Sequence, residues 1–297
     1  MQPLSRTTLR PLLRAALRED AAARDITSRA VLPSTARIRA RIIANAPGIL
    51  AGVEAAALAF TTLDPSLRCR LHRHSGAALK RGTAILTVEG RARAIFAAER
   101  TALNLLGHLS GIATLTHVFV RRIRGTRAAI LDTRKTLPGL RALEKYAVRA
   151  GGGVSHRADL AEAVLIKTNH LKALRLATSD KRQATQIRMA VAKTKRARPR
   201  RFVEVEVTNL REFRAALAAN PDAILLDNWR LPDIRKAVAL RRRTRYTVHG
   251  TPVLLEVSGG VTLTNVRATA KTGVDRISIG RLTHSAPALD VSLEVVR

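Results

Sequence analysis

One cysteine, Cys69, stands among 297 residues. No internal disulfide can form, and no cysteine-based zinc cluster can be assembled. A reducing, cytoplasmic setting is the expectation. Aromatic residues make up 3% of the chain, which leaves few stacking platforms for single-stranded nucleic acid. Uninterrupted apolar runs of about 18 residues are missing, so no membrane-spanning helix and no membrane partner are expected. Acidic residues are also scarce: 22 against 53 basic ones, a formal net charge of +31. Such a field draws anionic partners. Much of the excess falls in two helix-like stretches, Lys181–Arg201 and Arg235–Arg245, where it reads as solvated surface. Nucleic acid is therefore the secondary reading of the charge.

The chain is long enough for one large core or two modest ones. Arg6, Arg10, Arg14 and Arg18 recur every four residues, with Leu9, Leu12, Leu13, Ala16 and Leu17 on the rest of the turn. Like charges at that spacing repel mildly, so packing of the leucine face must hold this helix. The pattern runs into Glu19-Asp20 without a linker of the kind that follows a transit peptide. Ala36–Ala44 alternates as a half-buried strand, Asn45–Gly48 is a turn, and Val53–Thr62 is a helix. Short strand and turn signals follow at Arg68–Arg73, Ala84–Val88 and Gly90–Ala94. Ala97–Val120 reads as a long apolar helix interrupted near Gly107 and Gly111. Residues 1–112 form a small α+β domain on this reading.

From residue 113 to 284 the character changes. Strand-like runs recur between helical patterns: Ala128–Leu131, Ala163–Ile166, Phe202–Val207, Ala223–Leu226, Val253–Val257 and Arg276–Ile279. That alternation predicts parallel βα units closing into an α/β barrel. Each run ends in chemistry: Asp132-Thr-Arg134-Lys135, Lys167-Thr-Asn169-His170, Glu206, Asp227-Asn228, Ser258-Gly259-Gly260 and Gly280. Barrel active sites gather at the C-terminal strand ends. The period of two places Glu204 and Glu206 on the inward face of their strand and Val203, Val205 and Val207 on the outward one. Buried carboxylates require cations or metal, and a lysine is the expected partner of Glu204. His156-Arg157 after the Gly151–Gly153 cluster, with Arg134, Lys135 and Lys167, supplies positive charge suited to gripping a polyanion.

With these residues assembled, the chain resembles the quinolinate phosphoribosyltransferases. The resemblance runs nearly end to end. It is carried by Asp25-Ile-Thr-Ser28, Ala98-Glu-Arg-Thr-Ala-Leu-Asn104, Leu109-Ser-Gly-Ile-Ala-Thr114, Asp132–Thr136, Pro138–Ala147, His156-Arg157, Glu204-Val-Glu206, Leu226-Asp-Asn228, Ser258-Gly-Gly260 and Thr283–Asp290. It implies an N-terminal open α/β sandwich and a seven-stranded α/β barrel, with residues 285–297 returning to the sandwich. The implied reaction joins quinolinate to 5-phosphoribosyl-1-pyrophosphate with decarboxylation, giving nicotinate mononucleotide, with Mg²⁺, in a homodimer.

Residue by residue, the resemblance implies that Arg134, His156 and Arg157 clamp quinolinate, with Arg100 reaching in from the neighbouring subunit. Lys135 and Lys167 sit between the two substrates. Glu206 and Asp227 order Mg²⁺ and the ribose hydroxyls, and Ser258, Gly259, Gly260 and Gly280 hold the 5-phosphate. His170 and His284 organise loops. His72, His74, His108, His117 and His249 show no ligand spacing.

The chain departs from the family pattern at Thr168, where aspartate is usual, at Ser155 for asparagine, at Asp159 for glycine and at Gly107 for glutamine. Two other readings stand beside the main one. One is a related phosphoribosyltransferase that uses another base. The other is a polyanion- or RNA-binding protein on a degenerate enzyme scaffold.

Overall fold

The computed structural model describes residues 5–178, 182–243, 247–248 and 251–296. Lys181, Arg245 and His249 lie outside them. The chain divides into two units. The first takes in the described residues up to Val118, Lys135–Gly153, and the residues from Arg281 on; the second is Phe119–Arg134 with Val154–Gly280.

In the first unit, the N-terminal helix spans Arg6–Glu19 and buries Leu9, Leu13 and Leu17. Its arginines stay exposed, so the leucine face holds the helix as the pattern predicts. The sheet is antiparallel, in the order Val291–Val296, Arg37–Ala44, Ala84–Arg91, Arg68–Leu71. Gly90 and Arg91 extend the third of these strands, whereas Ala92–Ala94 already belong to a helix rather than to a further strand or turn.

That helix, Ala92–Arg122, runs unbroken through both glycines expected to interrupt it. The glycines serve close approach instead. A Cβ on Gly111 would lie 2.0 Å from the Pro287 carbonyl oxygen, and one on Gly107 would lie 2.9 Å from that of Leu289. Gly107 also accepts the Leu289 N–H at 2.9 Å. The glutamine usual in the family at this position would have no room here. By length and composition the helix could cross a membrane. Ile95, Ala98, Ala102, Leu106, Leu109 and Ile112 are fully buried within the protein, however, as in the core helix of a folded domain.

The second unit is built on a parallel sheet of six strands. Their order is Ala129–Leu131, Arg276–Ser278, Leu254–Ser258, Ala223–Asp227, Val203–Val207, Val164–Ile166. Val154 adds a single parallel bridge to Leu131, at the place of a seventh strand beside the Ala129–Leu131 edge. Helices Thr168–Leu176, Gln183–Ala197, Leu210–Ala219, Leu231–Arg243 and Val266–Ala270 alternate with the strands. In-register residues of neighbouring strands share a face. Val203, Val205, Val207, Ile224, Leu255, Val257 and Ile277 form the outward apolar layer and are buried. Glu204, Glu206, Asp227, Glu256, Ser258, Arg276 and Ser278 share the other face. A parallel sheet with charge on its inner face and helices on its outer face is the barrel arrangement. Below the strand ends, Asp275 takes ion pairs from Arg127, at 2.5 Å, and from buried Arg241, and its carboxylate accepts the Leu255 N–H.

Candidate active site

Because all six strands run parallel, their C-terminal ends lie along one edge. That edge carries Asp132, Lys167, Glu206, Asp227, Ser258 and, after one further residue, Gly280. Arg134, His156 and Arg157 belong to the same unit. Lys135 and Arg100 belong to the first unit, each exposed, Arg100 on the Ala92–Arg122 helix.

Asp132 is fully buried, and its Oδ1 accepts the backbone N–H of His156 at 2.9 Å. This fixes the loop that carries the Arg157 cation. The Arg157 guanidinium donates to the Ala163 carbonyl at 3.0 Å. Partial desolvation, and next the charge of Arg134, depress its pKa from the ordinary arginine value. Like charges that raise each other's cost in this way are relieved by a bound anion.

Glu204 and Glu256 lie at the floor, 1% and 0% exposed. Burial pushes both carboxyls well above the ordinary glutamate range, with Arg276 acting in the opposite direction on each. The Arg276 guanidinium carbon sits 4.9 Å over the Phe202 ring. The partner of Glu204 is therefore not the expected lysine: its Oε2 meets His156 Nε2 at 2.9 Å. The physical reason lies in register: the residues paired with Glu204 on the two neighbouring strands are Leu165 and Ala223, neither of them a cation. Arg276 shares the inward face from three strands away, in register with Glu256, and the imidazole comes from the loop that carries His156. Glu256 was not foreseen, although Val253, Leu255 and Val257 flank it with the same period of two that singled out Glu204.

Higher on the face, Glu206 Oε1 accepts the Thr168 N–H at 3.1 Å and also the Thr168 hydroxyl. Thr168 opens the helix Thr168–Leu176, whose N-terminal partial charge favours a carboxylate. The departure from the family pattern thus places a donor, not a second acid, against Glu206. His170 organises this loop, its Nδ1 accepting the Lys167 N–H at 3.0 Å. Asp159, another departure, accepts the N–H groups of Ala161 and Glu162 and so caps a turn.

The loops after the next two strands are tied together. The Asn228 N–H donates to the Ser258 carbonyl at 2.9 Å, and the Asn228 side chain donates to Asp227 Oδ2 at 2.9 Å. Asn228 adopts φ +58° and Gly259 φ +85°. A Cβ on Gly259 would lie 2.1 Å from Asn228 Oδ1, so only glycine allows these loops to meet. Gly260, at φ +61°, has open space where a Cβ would stand, which leaves its backbone approachable. Trp229 Nε1 donates to the Val207 carbonyl at 2.9 Å. Beside it opens a cavity of about 350 Å³ lined by Asn209, Asn228, Arg230 and Asp233 among others.

Comparison with known proteins agrees over the whole length. Residues 25–110 match the family model described as quinolinate phosphoribosyl transferase, N-terminal domain, and residues 112–294 match the model of its C-terminal domain. The chain is 42% identical over 289 residues to the nicotinate-nucleotide pyrophosphorylase [carboxylating] of Mycobacterium leprae, covering 96% of each. It is 38% identical to the probable enzyme of that name from Bacillus subtilis, covering 97% of this chain and 93% of the other. Among solved structures, the nicotinate-nucleotide pyrophosphorylase of Francisella tularensis superposes with a TM-score of 0.88 at 37% identity, covering 99% of this chain and 98% of that one.

Proposed function

The chain belongs to the quinolinate phosphoribosyl transferase family, and from that premise we propose how its barrel edge carries out the reaction. The enzyme joins the pyridine nitrogen of quinolinate to the anomeric carbon of 5-phosphoribosyl-1-pyrophosphate. Pyrophosphate and carbon dioxide leave, and nicotinate mononucleotide, a precursor of the nicotinamide dinucleotides, remains.

The observation that carries the reading of the site is the row of polar residues, Asp132, Lys167, Glu206, Asp227, Ser258 and Gly280, at the C-terminal edge of one parallel sheet, in the unit that also holds Arg134 and Arg157. Quinolinate is a dianion, and its two carboxylates satisfy those two cations by charge-assisted bonds. Arg134 and Arg157 hold the acid, with His156 in the same wall. Arg100 completes the clamp from the partner subunit of a homodimer. Lys135 and Lys167 lie between the substrates and offset the charge that gathers on the departing pyrophosphate. Gly259 and Gly260, with Ser258 and Gly280, offer backbone N–H groups to the 5-phosphate, the role such loops take in barrel enzymes.

Glu206 and Asp227 share one face of neighbouring strands and lie one residue pair apart along it. They are oxygen donors of the kind Mg²⁺ accepts together with waters and substrate phosphates. The carboxylate of Glu206, already held through one oxygen by Thr168, fits that ion. Mg²⁺, when bound, neutralises pyrophosphate charge. The same carboxylates face the positive charge that develops at the anomeric carbon as the C–O bond to pyrophosphate breaks. Once the ring nitrogen is quaternised, the adjacent C–CO₂⁻ bond can break. The electron pair stays on the ring carbon beside the cationic nitrogen, and a proton from water replaces it.

Steady-state turnover with the phosphoribosyl donor and Mg²⁺, quinolinate against nicotinate, tests the reading. Quinolinate is the expected substrate; preference for nicotinate overturns the assignment.

A further inference from the structure

His156 was expected to meet the substrate with its ring, but its ring is engaged on both sides within the protein. Nδ1 accepts the Arg157 backbone N–H at 2.8 Å. A nitrogen that accepts carries no proton, so the ring proton sits on Nε2. That nitrogen lies 2.9 Å from Glu204 Oε2 and 3.4 Å from Glu256 Oε1. The His156 main chain is itself held, its N–H on Oδ1 of buried Asp132 at 2.9 Å. The imidazole therefore spans from the carboxylate floor to the backbone of Arg157, whose side chain is half-buried.

We propose that His156 acts on quinolinate through Arg157 rather than by touching it, and that Glu256, with Glu204, is the floor that fixes the ring: Glu256 is a positioning residue of the clamp. The inference rests on the quinolinate reading above. A chain of contacts carries it: Glu256 and Glu204 to Nε2, Nδ1 to the Arg157 N–H, and Arg157 to the mouth beside Arg134.

The same three side chains bring ligating atoms within 4.8 Å of one another, a spacing that could hold a divalent cation. Arg276 already supplies positive charge to both carboxylates, and the hydrogen bond from the ring to Glu204 occupies the atom a metal would need. The geometry therefore favours a hydrogen-bonded floor over a metal centre.

The test uses the full-length enzyme. Glu256→Leu removes the carboxyl group that lies 3.4 Å from Nε2 at nearly constant volume; Glu256→Gln keeps a polar group of the same shape there. Glu256→Leu should raise KM for quinolinate by about ten- to a hundredfold, the scale of a misplaced binding group, and leave KM for the phosphoribosyl donor nearly unchanged. Glu256→Gln should restore most of the loss. Nitrogen NMR of histidine-labelled wild-type enzyme should show His156 as the Nε2–H tautomer, both before and after quinolinate is added. This measurement needs no variant and stands even if Glu256→Leu fails to fold.

An unchanged KM for quinolinate in folded Glu256→Leu overturns the proposal. So does a His156 ring that changes protonation or hydrogen-bond partner when quinolinate binds, or stoichiometric zinc or manganese bound by the metal-free wild-type enzyme and lost in Glu256→Leu. If the wild-type enzyme does not turn over quinolinate at all, the functional reading fails instead, while the tautomer remains measurable in the free protein.

Discussion

Thr168→Val probes the one departure from the family pattern that touches a proposed metal ligand. The substitution is nearly isosteric, so it opens no cavity, and it leaves the helix-opening N–H of residue 168 on Glu206 Oε1 at 3.1 Å. It removes only the hydroxyl that donates to the same oxygen. A hydrogen bond to a charged acceptor contributes about 1.5–3 kcal/mol. Glu206 is half-buried, so water can replace part of that loss, and a net cost of about 1 kcal/mol is the expectation. In a domain of this size that lowers Tm by roughly 2–4 °C.

If orientation of this carboxylate matters to the transition state, about 1 kcal/mol corresponds to roughly a fivefold fall in kcat/KM. The Mg²⁺ concentration giving half-maximal rate should rise in parallel. Steady-state kinetics across a Mg²⁺ titration, with thermal unfolding of the metal-free protein as a second measurement, reads both effects. Thr168→Ser keeps the hydroxyl and should stay close to wild type. If Thr168→Val has the wild-type Tm and the wild-type Mg²⁺ dependence, Thr168 does not orient Glu206 and the reasoning is refuted.

Two further outcomes follow from other parts of the chain. Mixing inactive Arg100→Ala enzyme with inactive Arg134→Ala enzyme should restore part of the activity, because one interface of a hybrid dimer recovers a complete clamp; no recovery after verified subunit exchange counts against a shared site. In the first unit, the Arg91 guanidinium 2.7 Å from buried Asp64 is the main reason the Asp64 carboxyl is held down at about 2. A depressed carboxyl contributes stability that is fully present above its unfolded pKa and is lost as pH falls through the folded one. With Arg91 largely exposed, solvent screening keeps that contribution small. Asp64→Asn should therefore flatten the stability profile between roughly pH 4 and pH 2, as read by urea unfolding; an unchanged slope there sinks the assignment.

The legibility of this protein from its sequence divides along a physical line. Strand runs and their polar ends were readable because period and composition are local: Val203, Val205 and Val207 could only be one face, and Glu204 and Glu206 the other. Glu256 is equally readable by that rule, since Val253, Leu255 and Val257 surround it, but it ends no strand and belongs to no recognisable motif. The partner of Glu204 was of a different kind. Which inward residues meet depends on register, which pairs Glu256 with Arg276 and Glu206 with Leu225, and on a loop that drops His156 between them. Register is set by hydrogen bonds between strands far apart in sequence, so no window of residues contains it.

Gly107 and Gly111 show the same limit from the other side. Helix propensity made them breaks, whereas the passage of Pro287–Leu289 against the helix made them necessary. At Thr168 the two levels meet. The sequence comparison marks a lost acid, and the fold shows that the residue in its place donates to the carboxylate beside it. The substitution therefore trades a repulsion for a hydrogen bond, and the departure is compatible with a working Glu206.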